Sequence, residues 1–202
     1  SDDDRYKSFK YDERVEILHI EKSSTPDWGG SRQPLRNIGA NKSTGKYLAF
    51  LDDDDMWLPN KLKTQVEALE KSEYKMSSTE GLYGEGVFDK NTEYPLFNKV
   101  RWFKYLKRKY KGTNYIKGGR FKQKSFPEIW DYEFIKIHNC IALSSVVVEK
   151  DIFIQLGGFR GLPRLSDYDC WLGMLQLTSS IYIDEPLFYY DNNHGDGRLY
   201  SK

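Results

Sequence analysis

Residues 45–59, with the sequence GKYLAFLDDDDMWLP, decide which fold this chain is predicted to have. The apolar run over residues 47–51 is short and nearly continuous, and it is bounded by Gly45 on one side and by four aspartates on the other. Such a run is typical of a buried parallel strand. Asp52 therefore stands at the carboxyl end of a predicted strand.

The segments around this strand alternate between strand and helix patterns. Residues 15–20 alternate apolar and polar side chains, and Ser31 is a candidate N-cap for a helix that carries Leu35 and Ile38. After the aspartates, Pro59 fits a first helical turn, and a helix to about residue 71 is predicted from the spacing of Leu62, Val66 and Leu69. This order predicts an α/β fold with a mainly parallel sheet, in which ligands bind beyond the carboxyl ends of the strands.

The C-terminal part continues the pattern. Residues 141–148 predict a strand, and residues 149–156 predict a short helix that ends at Gly157 and Gly158. Ser166 is a candidate cap for a further helix to about residue 177, and residues 181–183 predict a last strand.

Length and composition predict one folded domain over residues 1–202. A chain of 202 residues is too short for two ordinary domains, and an aromatic content of 15% argues against disorder. No apolar run approaches the roughly 18 to 20 residues of a membrane-spanning helix. Cys140 and Cys170 lack the spacing of a metal site, so buried free thiols are predicted. We expect a cytoplasmic protein.

Residues 99–124 form a basic block, which contains eleven Lys or Arg and no Asp or Glu. Aromatic residues lie between the lysines, and Asn98 is a candidate cap for a helix with Val100, Phe103, Leu106 and Tyr110 on one face. The pattern suits peripheral contact with a membrane, an anionic acceptor or a nucleic-acid groove. It suits equally an ordinary surface helix whose lysine stems cover apolar surface.

The aspartates at 52–55 predict a metal site, because adjacent carboxylates repel one another unless a cation relieves the repulsion. Oxygen ligands without nearby Cys or His favour Mg²⁺ or Mn²⁺, which keep positions for substrate phosphates. The alternative is an acidic surface turn that caps the helix near Pro59. The position after a buried strand favours the metal site.

The order of several segments resembles glycosyltransferase family 2. The segments are RNIG at 36–39, GKYLAFLDDDDMWLP at 45–59, SSVVV at 144–148, GGF at 157–159 and SDYDCWL at 166–172. The resemblance covers about residues 1–80 and 138–198. It implies a Rossmann-like GT-A fold and an inverting transfer from a nucleoside-diphosphate sugar, with UDP as the expected nucleotide, to a carbohydrate, lipid-linked or protein acceptor. No nucleic-acid partner is expected.

The resemblance also implies roles for residues of the donor site. The Asp-x-Asp motif of the family falls on Asp52 and Asp54, so Asp54 is expected to ligate Mn²⁺ or Mg²⁺ while Asp52 lies nearer the nucleotide. Asp53 is placed on the donor side, and Asp53 and Asp55 either support these ligands or cap the next helix. The further donor residues implied are Arg36, Asp2 or Asp3, His194 and Arg198. For His194 a solvated terminal loop is an equal alternative.

On the acceptor side, the resemblance implies Asp167 as the general base, while Ser166 stands where the family has a glutamate. Gly158, Phe159 and Trp171 fall in acceptor-side segments. Without the resemblance, Asp167 and Asp169 are first-turn acids stabilised by a helix dipole. The implied division is a nucleotide-sugar part at 1–80, a variable basic insertion at 81–137 and an acceptor part at 138–202.

The strand, helix and second strand with which the family normally begins do not precede residue 1, so an N-terminally truncated domain is expected, with activity belonging to the longer protein. Two rival functions remain at this point. One is a glycosyltransferase-like module that binds sugars or nucleotides without transfer, and the other is a nucleic-acid-binding protein that uses the basic block.

Overall fold

The computed structural model describes residues 11–18, 20, 33–100, 102–113 and 126–193. The helices of this part are α1 (Gln33–Lys42), α2 (Lys61–Glu70), α3 (Phe103–Lys109), α4 (Tyr132–Ile135), α5 (Lys150–Leu156) and α6 (Ser166–Met174), with a 3₁₀ helix at Leu143–Ser145. The strands are β1 (Tyr47–Ala49), β2 (Met56–Trp57), β3 (Met76–Gly84), β4 (Ile129–Trp130), β5 (Val147–Glu149) and β6 (Ser180–Asp191). The predicted α/β class is confirmed.

All six strands belong to one sheet, in the order β1, β5, β3, β6 and β2, and β4 also pairs with β6. β3 and β6 run parallel, from Met76 beside Ser180 to Gly84 beside Asp191. The other pairings among the described strands are antiparallel. The sheet is therefore mixed, which corrects the predicted mainly parallel arrangement. A continuous apolar run indicates that both faces of a strand are buried, but it does not encode the direction of the neighbouring strand.

An aromatic cluster joins the end of β1 to α5 and α6. The Phe50 ring lies 5.4 Å from the ring of Phe153, 5.2 Å from that of Phe159 and 6.1 Å from that of Trp171. These rings are buried, and burial of such large apolar side chains is a main source of stability. The cluster fixes the segment that leads directly into the four aspartates.

The basic block is tied into the fold through α3. Leu106 and Tyr110 are fully buried, and the Tyr110 ring stacks on Phe134 at 4.4 Å. Strand β4 pairs with β6 inside the sheet. The described residues of the stretch 81–137 thus contribute to the sheet and the core.

The helix of the basic block begins later than predicted. Asn98 does not cap it, because Trp102 stands at the N-cap position. The backbone N–H groups of Asn98 and Lys99 instead donate to the buried carboxylate of Glu80 at 2.7 and 2.9 Å. α3 begins at Phe103, and Val100 is 66% exposed instead of lying on the apolar face.

Helix α2 buries a different face from the predicted one. Leu62 is 43% exposed, whereas Lys61 and Gln65 are buried beside Leu69. The surface that α2 covers is polar: Gln65 Nε2 donates to the Ser145 carbonyl at 2.9 Å and to Ser77 Oγ at 3.1 Å. Lys61 Nζ donates to Gln65 Oε1 at 2.7 Å. Polar side chains therefore fill this face because each has a hydrogen-bond partner there.

The C-terminal end of α5 agrees with the prediction, whereas the two ends of α6 do not. α5 ends at Leu156, and the two glycines that follow it, Gly157 as the C-cap and Gly158, have φ of 87° and 70°, as predicted. α6 ends at Met174, short of residue 177. Ser166 is its first helical residue and not its cap, because the Ser166 hydroxyl donates to the Arg160 carbonyl.

Both cysteines, Cys140 and Cys170, are buried free thiols, as predicted. Among the described residues, none of the helices combines the length and the apolar character needed to cross a bilayer.

Candidate active site

The four aspartates form a tight turn between β1 and β2, which we call the acidic turn (residues 52–55). The Asp55 N–H donates to the Asp52 carbonyl across the turn at 3.2 Å. The Asp191 N–H, at the end of β6, donates to Asp55 Oδ1 at 3.1 Å. The acidic turn therefore follows β1, as predicted, and is also held by the last strand of the sheet.

Three carboxylates of the acidic turn converge. Oxygens of Asp52, Asp54 and Asp55 all lie within 4.8 Å of one another, and the three side chains are half-buried. Asp53 is exposed. The grouping of Asp52 with Asp54 agrees with the predicted metal pair, but Asp55 joins them. It does not cap α2, which has Asn60 at its N-cap position.

The electrostatics of the acidic turn fit a divalent cation. The pKa of Asp55 is raised to about 7, mainly by burial, with smaller rises from the Asp54 and Asp52 carboxylates and opposing effects of the Ser144 and Asp191 hydrogen bonds. Burial likewise raises the pKa of Asp52. Crowded carboxylates of this kind are relieved by a cation, and an all-oxygen set suits Mg²⁺ or Mn²⁺.

Arg36 of α1 acts on a carboxylate of the acidic turn and on one of α6. Its Nη2 atom forms an ion pair with Asp52 Oδ1, and both side chains are only about one-third exposed. The same guanidinium lowers the pKa of Asp167. Arg36 therefore acts electrostatically on both Asp52 and Asp167, two carboxylates that the sequence singled out.

Asp167 stands in the first turn of α6, where burial raises its pKa above the ordinary value. The backbone N–H groups of Tyr168 and of Asp167 itself oppose that rise, as do Arg36 and a hydrogen bond with the side chain of Asn139. Asp167 is thus an acid in the first turn of α6, and its carboxylate also interacts with the charge of Arg36. Asn139 was not singled out from the sequence.

Asp169 is engaged elsewhere. Its carboxylate accepts a hydrogen bond from Arg160 Nε at 2.7 Å and a second one from Arg160 Nη2. This two-point pair lies on the exposed side of the helix start, since the Arg160 side chain is 70% exposed. Asp169 therefore supports α6 and the preceding loop.

The acceptor-side residues have mainly structural contacts. The Phe159 N–H donates to Asn37 Oδ1 at 2.9 Å, and Asn37 Nδ2 donates to the Phe159 carbonyl at 2.8 Å. Phe159 and Trp171 are 2% and 0% exposed. Their side chains are therefore core, which corrects any expectation of direct contact with an acceptor. Gly158 approaches Asn37 so closely that a Cβ would lie 2.4 Å from Asn37 Oδ1.

Four predicted donor residues, Asp2, Asp3, His194 and Arg198, lie outside the described residues. The structure adds Ser144, whose hydroxyl oxygen accepts from the Asp52 N–H at 3.1 Å. The sequence placed Ser144 only in an acceptor-side segment, because a contact between residues 92 positions apart leaves no local pattern.

Comparisons with known proteins identify the family of the chain. The family described as Glycosyl transferase family 2 matches residues 6–130. An uncharacterized glycosyltransferase of Haemophilus influenzae is 28% identical over 158 residues, which are 76% of this chain and 45% of that protein. An uncharacterized glycosyltransferase of Rickettsia bellii is 34% identical over 101 residues, which are 46% of this chain and 14% of that protein.

A third relative has a named reaction. The UDP-Glc:alpha-D-GlcNAc-diphosphoundecaprenol beta-1,3-glucosyltransferase WfgD of Escherichia coli is 32% identical over 73 residues, which are 36% of this chain and 26% of that protein. This chain therefore spans less than half the length of each of these three relatives.

Proposed function

The chain belongs to glycosyltransferase family 2, and from that premise we propose that it transfers a sugar from a nucleoside-diphosphate sugar to an acceptor hydroxyl with inversion at the sugar carbon. The family gives the transferase class and the GT-A form of the α/β fold. The observation that carries the finer proposal is the position of Arg36, which pairs with Asp52 and also acts on Asp167.

The donor is proposed to be a UDP-sugar held at the acidic turn. The name of WfgD gives UDP-Glc as the donor of that relative. A Mg²⁺ or Mn²⁺ ion held by Asp52, Asp54 and Asp55 would offset the charge that the departing diphosphate gains. Arg36 lies close enough to supply a second positive group, and a guanidinium binds phosphate oxygens with two parallel hydrogen bonds.

Asp167 is proposed to act as the general base. The acceptor oxygen forms its bond to the anomeric carbon while the bond from that carbon to the diphosphate oxygen breaks, and the hydroxyl proton passes to the Asp167 carboxylate. One displacement of this kind inverts the configuration. The raised pKa of Asp167 favours the role, because a more basic carboxylate takes the proton more readily.

The acceptor is proposed to be lipid-linked, with the exposed side of α3 against an anionic membrane surface. Lys104, Lys107 and Arg108 are exposed there, whereas the apolar side of α3 is in the core, so the attraction is electrostatic. Two contacts connect α3 to Asp167. Lys109 Nζ lies 3.3 Å from His138 Nδ1, and Asn139, the residue after His138, forms a hydrogen bond with Asp167. The name of WfgD gives a diphosphoundecaprenol-linked acceptor.

Sedimentation with vesicles tests the membrane contact. We expect the protein to bind vesicles that contain phosphatidylglycerol and not neutral phosphatidylcholine vesicles, and the Lys104→Gln, Lys107→Gln, Arg108→Gln variant to lose most of this binding. Equal binding of parent and variant, or preferential salt-sensitive binding of RNA, would overturn the proposal.

The reaction is tested with the purified protein, supplied with UDP-sugars, Mn²⁺ and diphosphate-lipid-linked sugar acceptors. We expect UDP release that depends on both the metal and the acceptor, together with an extended acceptor. Binding of UDP without release or product under any condition would instead identify a nucleotide-binding module.

A further inference from the structure

Ser144 contacts the acidic turn and the strand after it through three separate bonds. Its hydroxyl oxygen accepts from the Asp52 N–H at 3.1 Å. The same hydroxyl bonds the Asp55 carboxylate. Its backbone carbonyl accepts from Trp57 Nε1 at 3.0 Å. One residue therefore holds the first and last residues of the acidic turn and the strand that follows.

Ser144 is suited to holding the acidic turn because it is itself fully buried in a regular element. It is 0% exposed and is the middle residue of the 3₁₀ helix, which leads directly into β5. The next residue, Ser145, anchors that helix, since its carbonyl accepts from Gln65 Nε2 at 2.9 Å. Rotation of the Ser144 side chain would break the Asp52 and Asp55 contacts together.

We propose that Ser144 is a positioning residue that sets the spacing of the Asp52 and Asp55 carboxylates for a divalent cation. The inference rests on the proposed function, in which the acidic turn binds Mn²⁺ or Mg²⁺. Groups that orient metal ligands matter nearly as much as the ligands, and their loss costs about 10- to 100-fold in metal affinity. Ser144 itself does not ligate the ion, because its hydroxyl is already bonded to the acidic turn.

The chain offers a matched control at the neighbouring position. Ser145 is 1% exposed and lies in the same 3₁₀ helix, but its hydroxyl donates to the Ala142 carbonyl at 2.7 Å instead of to the acidic turn. Ser144→Ala and Ser145→Ala each delete one buried hydroxyl. A merely structural role therefore predicts similar effects of the two substitutions on every property.

The test is Mn²⁺ titration by calorimetry at pH 8, with thermal unfolding of the metal-free proteins measured alongside. We expect both variants to lose similar stability, Ser144→Ala to bind Mn²⁺ at least roughly 10-fold more weakly, and Ser145→Ala to bind it within about 2-fold of the parent. Equal Mn²⁺ affinity of the two variants overturns the positioning role. Absence of Mn²⁺ binding by the parent protein instead overturns the proposed function.

Hydrogen exchange of the metal-free parent protein decides the matter if Ser144→Ala does not fold. Pre-positioning requires the Asp52 amide to be bonded before metal arrives, so we expect its exchange to be slow. Rapid exchange at Asp52, with slow exchange in the adjoining strands, overturns the proposal.

Discussion

Arg36 and Asp52 form an ion pair in which a guanidinium of α1 meets the first carboxylate of the acidic turn. The pair joins a helix of the N-terminal half to the proposed metal site. Because the guanidinium also lowers the pKa of Asp167, it offsets part of the negative charge of both Asp52 and Asp167. Arg36 therefore competes with a metal ion for Asp52, but its positive charge attracts an anionic ligand.

Replacing Arg36 by Gln should have opposite effects on the two ligands. Mn²⁺ alone should bind about 3- to 5-fold more tightly, since a partly exposed ion pair of up to about 1 kcal/mol no longer opposes it. UDP in the presence of saturating Mn²⁺ should bind roughly 10-fold more weakly, because a charge-assisted phosphate contact is lost. Calorimetric titrations measure both affinities. Arg160→Gln, which breaks the separate pair with Asp169, is the control, and a parallel change of both affinities in Arg36→Gln would refute the shared role.

Asp167→Asn should slow sugar transfer without weakening donor binding. The amide keeps the shape of the carboxylate but accepts no proton, so turnover should fall by about 10² to 10⁴, the usual scale for general base catalysis. The KM for the donor should change little. Steady-state kinetics of parent and variant provide the measurement.

Asp169→Asn is the matched control for this substitution, two positions along the same helix. Its carboxylate pairs with Arg160, so its loss should weaken the loop before α6 and leave turnover within a few-fold of the parent, as expected for a group that transfers no proton. Normal turnover of Asp167→Asn, or equal losses in both variants, would assign the proton to another acceptor.

Gly158→Ala should destabilise the protein more than Gly157→Ala. Both glycines have positive φ, at 70° and 87°, and a Cβ at Gly157 would meet nothing within 4 Å. Gly157→Ala should therefore cost about 1 kcal/mol of backbone strain. Gly158→Ala adds a collision with Asn37 and with its bonds to Phe159, so a total of about 2 to 4 kcal/mol is expected. Urea unfolding of the two variants gives the comparison, and equal losses would show that the Asn37 bridge contributes nothing.

Lys61 should make stability depend on pH above neutrality. Burial lowers its pKa to about 7 from the ordinary 10.5. Between about pH 7 and 10.5 the unfolded chain holds a proton that the folded chain has lost. The free energy of unfolding therefore rises with pH in this window, and the gain is lost as pH falls toward 7. The slope is at most about 1.4 kcal/mol per pH unit. Lys61→Met should remove it, as shown by the free energies of unfolding of parent and variant at pH 7.5 and 9. Lys63→Met, at an exposed position of the same helix, should keep the slope.

Local features of this chain were predictable from sequence. The acidic turn follows β1 because four aspartates cannot continue a buried strand, and α5 ends before Gly157 because a glycine tolerates positive φ. The resemblance further indicated Asp52, which forms an ion pair with Arg36, and Asp167, whose pKa the same guanidinium lowers.

Contacts between distant segments were not predictable in the same way. Asp55 joins Asp52 and Asp54 where β6 returns beside the acidic turn, and its carboxylate is bonded by the Asp191 N–H and by Ser144. The burial of Lys61 was not predicted, because the spacing of apolar residues does not indicate that a lysine will find Gln65 as a buried hydrogen-bond partner. Sequence patterns report the tendency of each segment, whereas these positions depend on which polar groups the folded chain brings together.

The most direct measurement is calorimetric titration of UDP into the protein with Mn²⁺ and with EDTA, repeated for Asp54→Asn. We expect Mn²⁺ to tighten UDP binding by roughly 10- to 100-fold in the parent, the usual range for coupling between two ligands. We expect no such gain in Asp54→Asn, because the acidic turn then lacks one of its three converging carboxylates. Asp151→Asn, at an exposed acid in the first turn of α5, should behave as the parent. Equal UDP affinity with and without Mn²⁺ in the parent, or an undiminished gain in Asp54→Asn, would contradict a metal-dependent donor site at the acidic turn.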